Sequence, residues 1–365
     1  MKPAIFRPMH DRLTVEEVTV ADPLDHEVLV RTAYSGVCHS DMHYLDRPDA
    51  AAGVGITTPG VIGHEAAGIV EAVGAAVTEF APGDHVIACL SYFCGKCEFC
   101  LTGRTNLCSS KPGRPAGAPP RLSLDGVALA QFSGIGAYAE QMLVHENALV
   151  KITPEMPLDR AALISCGVMT GVGAVLNRAK VAPASTVAVF GVGGIGMSVV
   201  QGARIAGARR IIAIDLLDYK LERAKEFGAT DGVNASQVDP VEAIRELTAG
   251  GVDYAFEAIG FGKTAEQAFD CLKDGGMAVM LGVAEPGATV TVPAAALRRE
   301  KVLTGSSMGS NRFKVDMPKL VDLYFQGKLM LDEMITNRYP LADVNTAFET
   351  LRDGHVMRSV LTYDV

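Results

Sequence analysis

The chain has 365 residues, of which 48% are hydrophobic and 21% are charged, and its formal net charge at pH 7 is −9. This length allows two domains, and the composition is that of an ordinary globular protein with a sizeable core. The acidic balance, without any lysine- and arginine-rich block, argues against a surface for nucleic acid or anionic lipid, so we expect a small molecule as the partner.

The N-terminal residues lack the apolar run of a signal peptide, and no segment offers about 18 consecutive uncharged apolar residues for a membrane span. The sequence therefore predicts a cytoplasmic protein that does not cross a membrane. Four of the eight cysteines crowd between positions 94 and 108, which is typical of a metal site rather than of disulfides.

Residues 13–150 carry short β-like runs, such as 27–31 and 85–88, separated by glycine and proline turns. These runs predict a partly open β-barrel. The segment 111–120 is rich in proline, glycine and arginine, and we interpret it as an exposed loop.

A cluster of chemically active side chains occupies the sequence GVCHSDMH at positions 36–43. On its own such a cluster indicates little, since most free cysteines and histidines are structural. Further partners occur in GHEAAG at 63–68 and SCGVMT at 165–170. Cys38, His64 and Cys166 together would give zinc two thiolates and one imidazole, and would leave the fourth position open for water or substrate.

The cysteine-rich segment has the spacing CxxCxxCx7C. Four thiolates so close in sequence can form a tetrahedral zinc site, and a metal with all four positions filled by protein is structural. An iron–sulfur cluster uses a similar spacing and is the main alternative, although no proline follows the last cysteine. The four predicted ligands are Cys94, Cys97, Cys100 and Cys108.

A buried strand at 186–190 leads directly into GVGGIG at 191–196 and then into a helical stretch at 197–206. This order is the dinucleotide-binding pattern, in which the first glycine allows a tight turn and the second lets the backbone approach the pyrophosphate. The third lets the helix pack closely on the strand, and the helix N-terminus holds the phosphates. A flexible glycine-rich loop is the alternative.

Asp215 closes the strand that follows these glycines, at 210–214. Its carboxylate can accept hydrogen bonds from the adenosine ribose and would repel a 2′-phosphate, so NAD is favoured over NADP. An aspartate that only caps the next helix is the alternative interpretation.

Strands and helices continue to alternate up to about residue 306, which predicts six strands of a doubly wound parallel sheet. Two helices and a final strand that returns to the first domain follow. The predicted helices are 221–227, which ends at Gly228, one capped by Asp239, 317–325 and 341–351. The predicted strands are 251–257, 277–281, 302–306, a short one near Val233, and 359–363.

The GHExxG motif, the four-cysteine segment, the segment 166–170 and GVGGIG resemble, in order and spacing, the zinc-containing medium-chain alcohol dehydrogenases over essentially the whole chain. The long loop after Cys108 and the C-terminal segment 354–358 resemble the long-loop, class I/III-like branch. The resemblance implies an α/β fold, with an inserted doubly wound Rossmann domain at 168–308. A GroES-like β-barrel catalytic domain, with its structural zinc lobe at 94–108, would contain residues 1–167 and 309–365.

Two cysteines and a histidine are the known ligand set of the catalytic zinc in this family, so the resemblance assigns Cys38, His64 and Cys166 to that zinc. It also implies that Asp41 holds the other nitrogen of the imidazole, and that Glu65 lies beside the zinc and assists ligand exchange. Ser40 would take the proton of the alcohol and pass it through the nicotinamide ribose to His43 and then to solvent.

On the cofactor side, the resemblance places cations at the pyrophosphate and the adenosine ribose, and a threonine against the nicotinamide. The expected pyrophosphate cations are His39 and Arg358, the ribose contact is Lys220 and the nicotinamide contact is Thr170. The other expected cofactor contacts are Gly191, Gly193, Gly194, Ile195, Gly196, Asp215 and Val283.

The implied activity is the interconversion of a primary alcohol and its aldehyde by hydride transfer to NAD, with a catalytic and a structural zinc per chain, in a homodimer or a tetramer. Leu90 takes a position that is often aromatic in relatives, which favours a roomy pocket for bulky or aryl alcohols unless Leu90 only packs the barrel. Residues 47–53 look like a short insertion beside this pocket.

Three other functions remain open. The glutathione-dependent formaldehyde dehydrogenases share the long loop and the C-terminus, but they generally lack the histidine that His43 supplies here. A nicotinoprotein would keep NAD bound and reduce an outside acceptor. A non-catalytic zinc- and nucleotide-binding protein is the distant alternative, and the intact ligand set argues against it.

Overall fold

The structure is a computed structural model that describes residues 1–8, 10–47, 59–354 and 356–363. The chain divides into two compact units. The first contains Met1–Cys166, Arg312–Gln326 and Leu331–Val365, and the second contains Gly167–Asn311 and Gly327–Met330. The second unit therefore includes residues 309–311 and 327–330, which the sequence analysis gives to the catalytic domain. Residues 48–53 of the expected insertion lie outside the described residues.

The strands follow the chain from the first unit through the second and back to the first. They are β1 Ala4–Phe6, β2 Thr14–Val15, β3 Thr19–Val20, β4 Glu27–Val37, β5 Gly60–Val61, β6 Glu65–Val73, β7 His85–Ala88, β8 Leu122–Leu124, β9 Val127–Ala128, β10 Ala130–Gln131, β11 Gln141–His145, β12 Leu149–Lys151, β13 Thr186–Phe190, β14 Arg210–Asp215, β15 Asp231–Asn234, β16 Val252–Glu257, β17 Leu272–Met280, β18 Val302–Gly305, β19 Ile335–Pro340 and β20 Arg358–Thr362.

The α-helices in the described part of the chain are mostly short, and the longer ones belong to the second unit and to the C-terminal part. They are α1 His39–Asp46, α2 Glu98–Leu101, α3 Leu158–Leu163, α4 Met169–Gly173, α5 Gly194–Ile205, α6 Asp218–Phe227, α7 Pro240–Thr248, α8 Gly262–Asp270, α9 Ala294–Leu297, α10 Phe313–Phe325 and α11 Val344–Arg352.

The first unit is built on a large sheet with the strand order β12-β7-β6-β4-β20-β19, in which β11 also pairs with β4. All of these pairs are antiparallel except that of β19 with β20. Buried aromatic side chains, among them Phe6, Tyr138 and Phe348, form one of its cores. The predicted β-rich domain is confirmed, and β19 is a strand that the sequence analysis missed.

The pairing of β4 with β6 determines where the candidate ligands lie. Gly36 near the end of β4 is opposite Glu65 at the start of β6. Cys38 directly follows β4, and His64 directly precedes β6, so the two come together at the same end of this strand pair. Glycine is required at position 36 because a Cβ atom there would overlap with the Glu65 carboxylate.

Glu27 at the start of β4 fixes the loop at 111–120 to the sheet. Its buried carboxylate accepts hydrogen bonds from Arg114 Nη2 at 2.6 Å and Arg121 Nε at 2.7 Å. Burial raises the pKa of Glu27, but hydrogen bonds from Arg114, the Leu24 N–H and Arg121 outweigh it and lower the pKa to about 2. Most of the loop is exposed, as predicted, while Arg114 turns inward.

The second unit contains a six-stranded parallel sheet with the order β15-β14-β13-β16-β17-β18. This confirms the predicted doubly wound sheet. The order reverses between β13 and β16, and ligands of such sheets bind outside the carboxyl ends of the strands at that point. Helix α5 begins at Gly194, three residues before the predicted start, because the glycines of the turn already belong to its first turn.

Two predicted helix ends are confirmed in detail. Asp239 caps α7 by accepting hydrogen bonds from the Val241 and Glu242 N–H groups at 2.9 and 3.0 Å. Gly228 ends α6 with a φ of 118°, which favours glycine.

One helical run, Leu158–Ala179, is long and apolar enough by length and composition to span a membrane, which the sequence analysis did not expect. Of its most apolar window, 89% is buried inside the protein, as in the core helix of a globular protein. The run contains two π-helical segments, Ile164–Val168 and Ala174–Ala179.

Substituting Arg114→Ala should lower the free energy of unfolding by about 2 kcal/mol, because it removes one of the two cations that pair with a buried carboxylate. The full decrease in the free energy of unfolding should be seen above pH 4.5, where Glu27 is ionised in both the folded and the unfolded state. The decrease should become smaller as the pH falls through about 2, the pKa of Glu27 in the folded state. Urea unfolding at several pH values measures it. Arg299→Ala, which removes an exposed ion pair with Asp274, is the control and should change stability by less than about 0.5 kcal/mol; equal effects of the two variants would contradict this role of Arg114.

Candidate metal and cofactor sites

The first unit brings four potential ligands together. Single ligand atoms of Cys38, His64, Glu65 and Cys166 all lie within 4.8 Å of one another, and the four residues are buried. Cys166 reaches the cluster from the π-helical segment after α3, a helix that packs against β4 and β6. Two thiol sulfurs and an imidazole nitrogen at this separation fit a zinc ion.

Asp41 orients the imidazole of the cluster. His64 Nδ1 lies 3.1 Å from Asp41 Oδ1, and both side chains are almost completely buried. With the Nδ1 proton donated to the carboxylate, Nε2 is the nitrogen that a metal can use. The Asp41 contact that the family resemblance implies is therefore present in the structure.

The two cysteines of the cluster differ in acidity. A hydrogen bond from the Cys166 thiol, together with the nearby His64, holds the pKa of Cys38 well below its ordinary value although burial opposes this. In the absence of a cation, burial would lower the pKa of His64, but the charges of Asp41 and Cys38 raise it to about 10. The hydrogen bond to Cys38, together with burial, raises the pKa of Cys166 well above its ordinary value. The cluster thus stabilises one negative sulfur, at Cys38, and the thiolate is the form that binds metals.

Glu65 contributes a carboxylate that no water can reach. Its Oε2 is paired with the Arg358 guanidinium, while Oε1 is buried and has no hydrogen-bond partner among the described residues. An unpartnered carboxylate oxygen beside two sulfurs is costly unless a cation lies nearby. Arg358, expected at the pyrophosphate, is 7% exposed and is held by this ion pair.

Helix α1 carries the other expected residues of the catalytic cluster. Ser40 and His43 are three residues apart, so they lie on the same side of the helix, while Asp41 is buried on another. Ser40 is half-buried and His43 is exposed. A path that carried a proton from the buried cluster to solvent would require this increase in exposure from Ser40 to His43. His39 is exposed at the first position of the helix.

The four cysteines at 94–108 also come together, each sulfur within 4.8 Å of the others. The Sγ atoms of Cys97 and Cys100 are 3.4 Å apart, and the backbone N–H groups of Cys94 and Cys97 point at sulfurs of the group at 3.3 Å. Four sulfurs with such N–H donors fit a tetrahedral structural zinc.

In the second unit, the glycine-rich turn and the acidic residue are linked directly. Asp215 Oδ2 accepts a hydrogen bond from the Val192 N–H at 3.0 Å, and its Oδ1 accepts from the next two backbone N–H groups. Gly191 has a φ of 82°. A Cβ on Gly193 would meet no atom, whereas one on Gly196 would overlap with the Gly191 carbonyl. The open side at Gly193 leaves room for a pyrophosphate.

The remaining expected contacts lie in separate places. Thr170 is buried in α4, where its hydroxyl is 3.5 Å from the sulfur of Met308. Lys220 is half-buried in α6, and Val283 is exposed beside Gly260. In the first unit, Leu90 is half-buried against a core of the barrel.

Sequence reasoning missed several residues at these sites. Tyr138 donates a hydrogen bond to Asp41, and the ring of Phe132 stands edge-on to His64 with centroids 5.5 Å apart. Glu257, at the carboxyl end of β16, is buried with one oxygen unpartnered in the described structure. None of them stands in a recognisable motif, so only the fold reveals them.

Comparison with known proteins agrees with this geometry. Residues 24–154 match the model of the alcohol dehydrogenase GroES-like domain, and residues 194–326 match that of the zinc-binding dehydrogenases. The class-3 alcohol dehydrogenase of Caenorhabditis elegans is 40% identical and the alignment covers 96% of this chain and 94% of that protein. The S-(hydroxymethyl)glutathione dehydrogenase of Saccharomyces cerevisiae is also 40% identical, with coverages of 96% and 93%. The solved structure of benzyl alcohol dehydrogenase from Acinetobacter calcoaceticus has a TM-score of 0.92 at 33% identity and covers 100% of this chain and 99% of that chain.

Two metal-fitting clusters and a dinucleotide-binding sheet define the class as zinc-dependent, NAD-linked oxidoreductases. The chain belongs to the zinc-containing medium-chain alcohol dehydrogenases.

Substituting Asp215→Asn should weaken NAD binding and improve the use of NADP. The neutral amide can still accept one backbone hydrogen bond, but it no longer repels a 2′-phosphate. We expect the ratio of kcat/KM for NADP to that for NAD to rise by roughly tenfold or more. Asp218→Asn, three residues later in α6, is the control; a ratio unchanged in Asp215→Asn would refute the discriminating role of this carboxylate.

Proposed function

We propose that this enzyme oxidises a primary CH2OH group to a carbonyl group, giving an aldehyde from a simple alcohol or a formyl thioester from the hydroxymethyl adduct of a thiol, with NAD as the hydride acceptor and with Cys38, His64 and Cys166 as the ligands of the catalytic zinc. The observation that carries the proposal is the buried cluster of two thiols and one imidazole. It provides three protein ligands, and a zinc with three protein ligands keeps a position for substrate. The four-cysteine group would hold the structural zinc.

When bound, zinc lowers the pKa of an alcohol as a Lewis acid, and NAD takes the hydride. Residues of the chain itself would remove the alcohol proton and release it to solvent. The Ser40 hydroxyl both donates and accepts, so it can take the alcohol proton, and the exposed His43 can release a proton to water. Glu65, whose Oε1 has no hydrogen-bond partner among the described residues, would assist the exchange of ligands.

The hydroxymethyl adduct of glutathione is the substrate with the stronger support. The relatives at 40% identity include class-3 alcohol dehydrogenases and S-(hydroxymethyl)glutathione dehydrogenase. This ranking reverses that of the sequence analysis, which preferred bulky or aryl alcohols because of His43 and Leu90. Benzylic alcohols are the second candidate, since a benzyl alcohol dehydrogenase shares the fold closely. Leu90 packs partly against the barrel, as in the alternative in which it does not shape the pocket.

The cellular setting is part of the proposal. None of the eight cysteines forms a disulfide in the described structure, which suits a reducing compartment such as the cytoplasm. A homodimer, with a tetramer as the alternative, follows from the family resemblance alone.

Initial rates of NADH formation across a panel of substrates test the function. With formaldehyde plus glutathione, we expect kcat/KM to exceed that for benzyl alcohol by about tenfold or more, and formaldehyde without glutathione should be inactive. A reversed ratio would assign benzylic alcohols, and alcohol loss without NADH in solution would identify a nicotinoprotein.

Cys38→Ser is the matched variant for this panel. It should abolish turnover while calorimetry still detects NAD binding, because the cysteine and the dinucleotide-binding turn belong to different units. Absence of turnover in the unaltered protein with every alcohol, despite two bound zinc ions, would favour the non-catalytic alternative.

Substituting His43→Ala should lower kcat on the order of tenfold near neutral pH while leaving KM for NAD unchanged, because the proton path loses its last group before solvent. Added imidazole should restore part of the rate. His10→Ala, at another exposed histidine, is the control. A kcat equal to that of the unaltered enzyme would exclude His43 from proton transfer.

A further inference from the structure

The carboxylate of Asp41 is completely buried and receives three hydrogen bonds. His64 Nδ1 and the Gly63 N–H each lie 3.1 Å from Oδ1. The Tyr138 hydroxyl lies 2.8 Å from Oδ2 and 3.3 Å from the Gly36 carbonyl oxygen, and it donates to the nearer, charged carboxylate oxygen. Each oxygen thus has a donor, and the carboxylate cannot turn about its bond without losing one of them.

Tyr138 also supports the backbone that carries the imidazole. Its ring is fully buried and stands edge-on to Phe348, with centroids 6.0 Å apart. A Cβ atom on Gly63 would lie 2.6 Å from this ring, so only glycine allows the approach. The phenol therefore contacts both the chain segment next to His64 and the carboxylate that orients its ring.

The phenol stays protonated in this environment. Burial raises the pKa of Tyr138 well above its ordinary value, and the charge of Asp41 raises it further.

We propose that Tyr138 is a positioning residue for the catalytic zinc: its hydroxyl fixes the Asp41 carboxylate, and the fixed carboxylate holds the His64 ring in the orientation that binds the metal. The inference rests on the proposed assignment of Cys38, His64 and Cys166 to zinc. It adds a residue 97 positions from Asp41 in sequence, outside every motif.

Removing the hydroxyl has a definite consequence. In Tyr138→Phe the ring, its contact with Phe348 and the approach to Gly63 remain, while Asp41 Oδ2 becomes a buried acceptor without a donor. The carboxylate then turns to find another partner, and the imidazole loses its fixed orientation. A zinc ligand held less firmly dissociates more often.

Zinc release into excess chromogenic chelator measures this without any turnover. The loaded enzyme should release its two zinc ions in separate phases, and the structural zinc is the internal reference. We expect Tyr138→Phe to accelerate the catalytic-zinc phase roughly fivefold and to leave the other phase unchanged. Losing the direct partner of a zinc ligand costs roughly 10–100-fold, and the effect of Tyr138 should be smaller because it acts through Asp41.

Tyr363→Phe is the matched control. Tyr363 is another buried tyrosine of the first unit, and its hydroxyl bonds to the Ala137 carbonyl at 3.0 Å and to Ser35 Oγ at 3.1 Å, not to Asp41. Its loss removes the same group from the same barrel, and both release phases should stay within about twofold of those of the unaltered enzyme.

The d–d absorption of the enzyme with cobalt in the catalytic site provides a second readout. It should shift in Tyr138→Phe and not in Tyr363→Phe, because it reports the position of the ligands. An unchanged spectrum and release rate in Tyr138→Phe, or equal acceleration in both variants, would overturn the proposal.

Incorporating 3-fluorotyrosine at position 138 tests the opposite direction and serves if Tyr138→Phe does not fold. The fluorinated phenol is a stronger donor and should slow release of the catalytic zinc, whereas unchanged or faster release would contradict the proposal. If the unaltered protein binds only one zinc ion, the assignment of Cys38, His64 and Cys166 to a catalytic zinc is wrong. If it binds two zinc ions and the loss of the Tyr138 hydroxyl does not change their release rates, that assignment stands and only the role of Tyr138 is wrong.

Discussion

The pairing of β4 with β6 is the constraint on which the metal site depends. Because Gly36 stands opposite Glu65, the residue after one strand and the residue before the other lie at the same end of the pair. A shift of register by one residue would turn every side chain of a strand to the opposite face, and Cys38 and His64 would separate. The ligands are thus positioned by hydrogen-bonded backbone, which holds them more firmly than loops would.

Charge balance explains why this arrangement calls for a cation. Asp41 is compensated by three donors, and one oxygen of Glu65 by Arg358. The second oxygen of Glu65 has no hydrogen-bond partner in the described cluster, and the lowered pKa of Cys38 adds a negative sulfur close to it. Burying negative groups in this way is costly unless a metal neutralises them. A divalent ion bound at this site would therefore stabilise the folded protein.

The sequence predicted correctly those features that depend on the spacing of residues close together in the chain. The four cysteines, the glycine-rich turn and the helix caps at Asp239 and Gly228 each depend on neighbouring residues, and all of them form as predicted structures. Contacts made by distant residues were not visible. The partner of Glu65 lies 293 positions away, and nothing in the surrounding sequence marks Arg358 as the partner of a buried carboxylate. The edge strand β19 alternates in burial over its six residues, but its sequence ITNRYP has too few apolar residues for this alternation to be recognised.

The order of the strands has a consequence for synthesis of the chain. β20 lies between β4 and β19 in the sheet, yet the ribosome makes it only after the whole second unit. At roughly 5–20 residues per second, tens of seconds pass between the emergence of β4 and that of its last neighbour. During that interval β6 and β11 can already pair with β4, but the edge of β4 at residues 34–37 still exposes its backbone groups. The length of the inserted unit determines how long this edge must avoid aggregation.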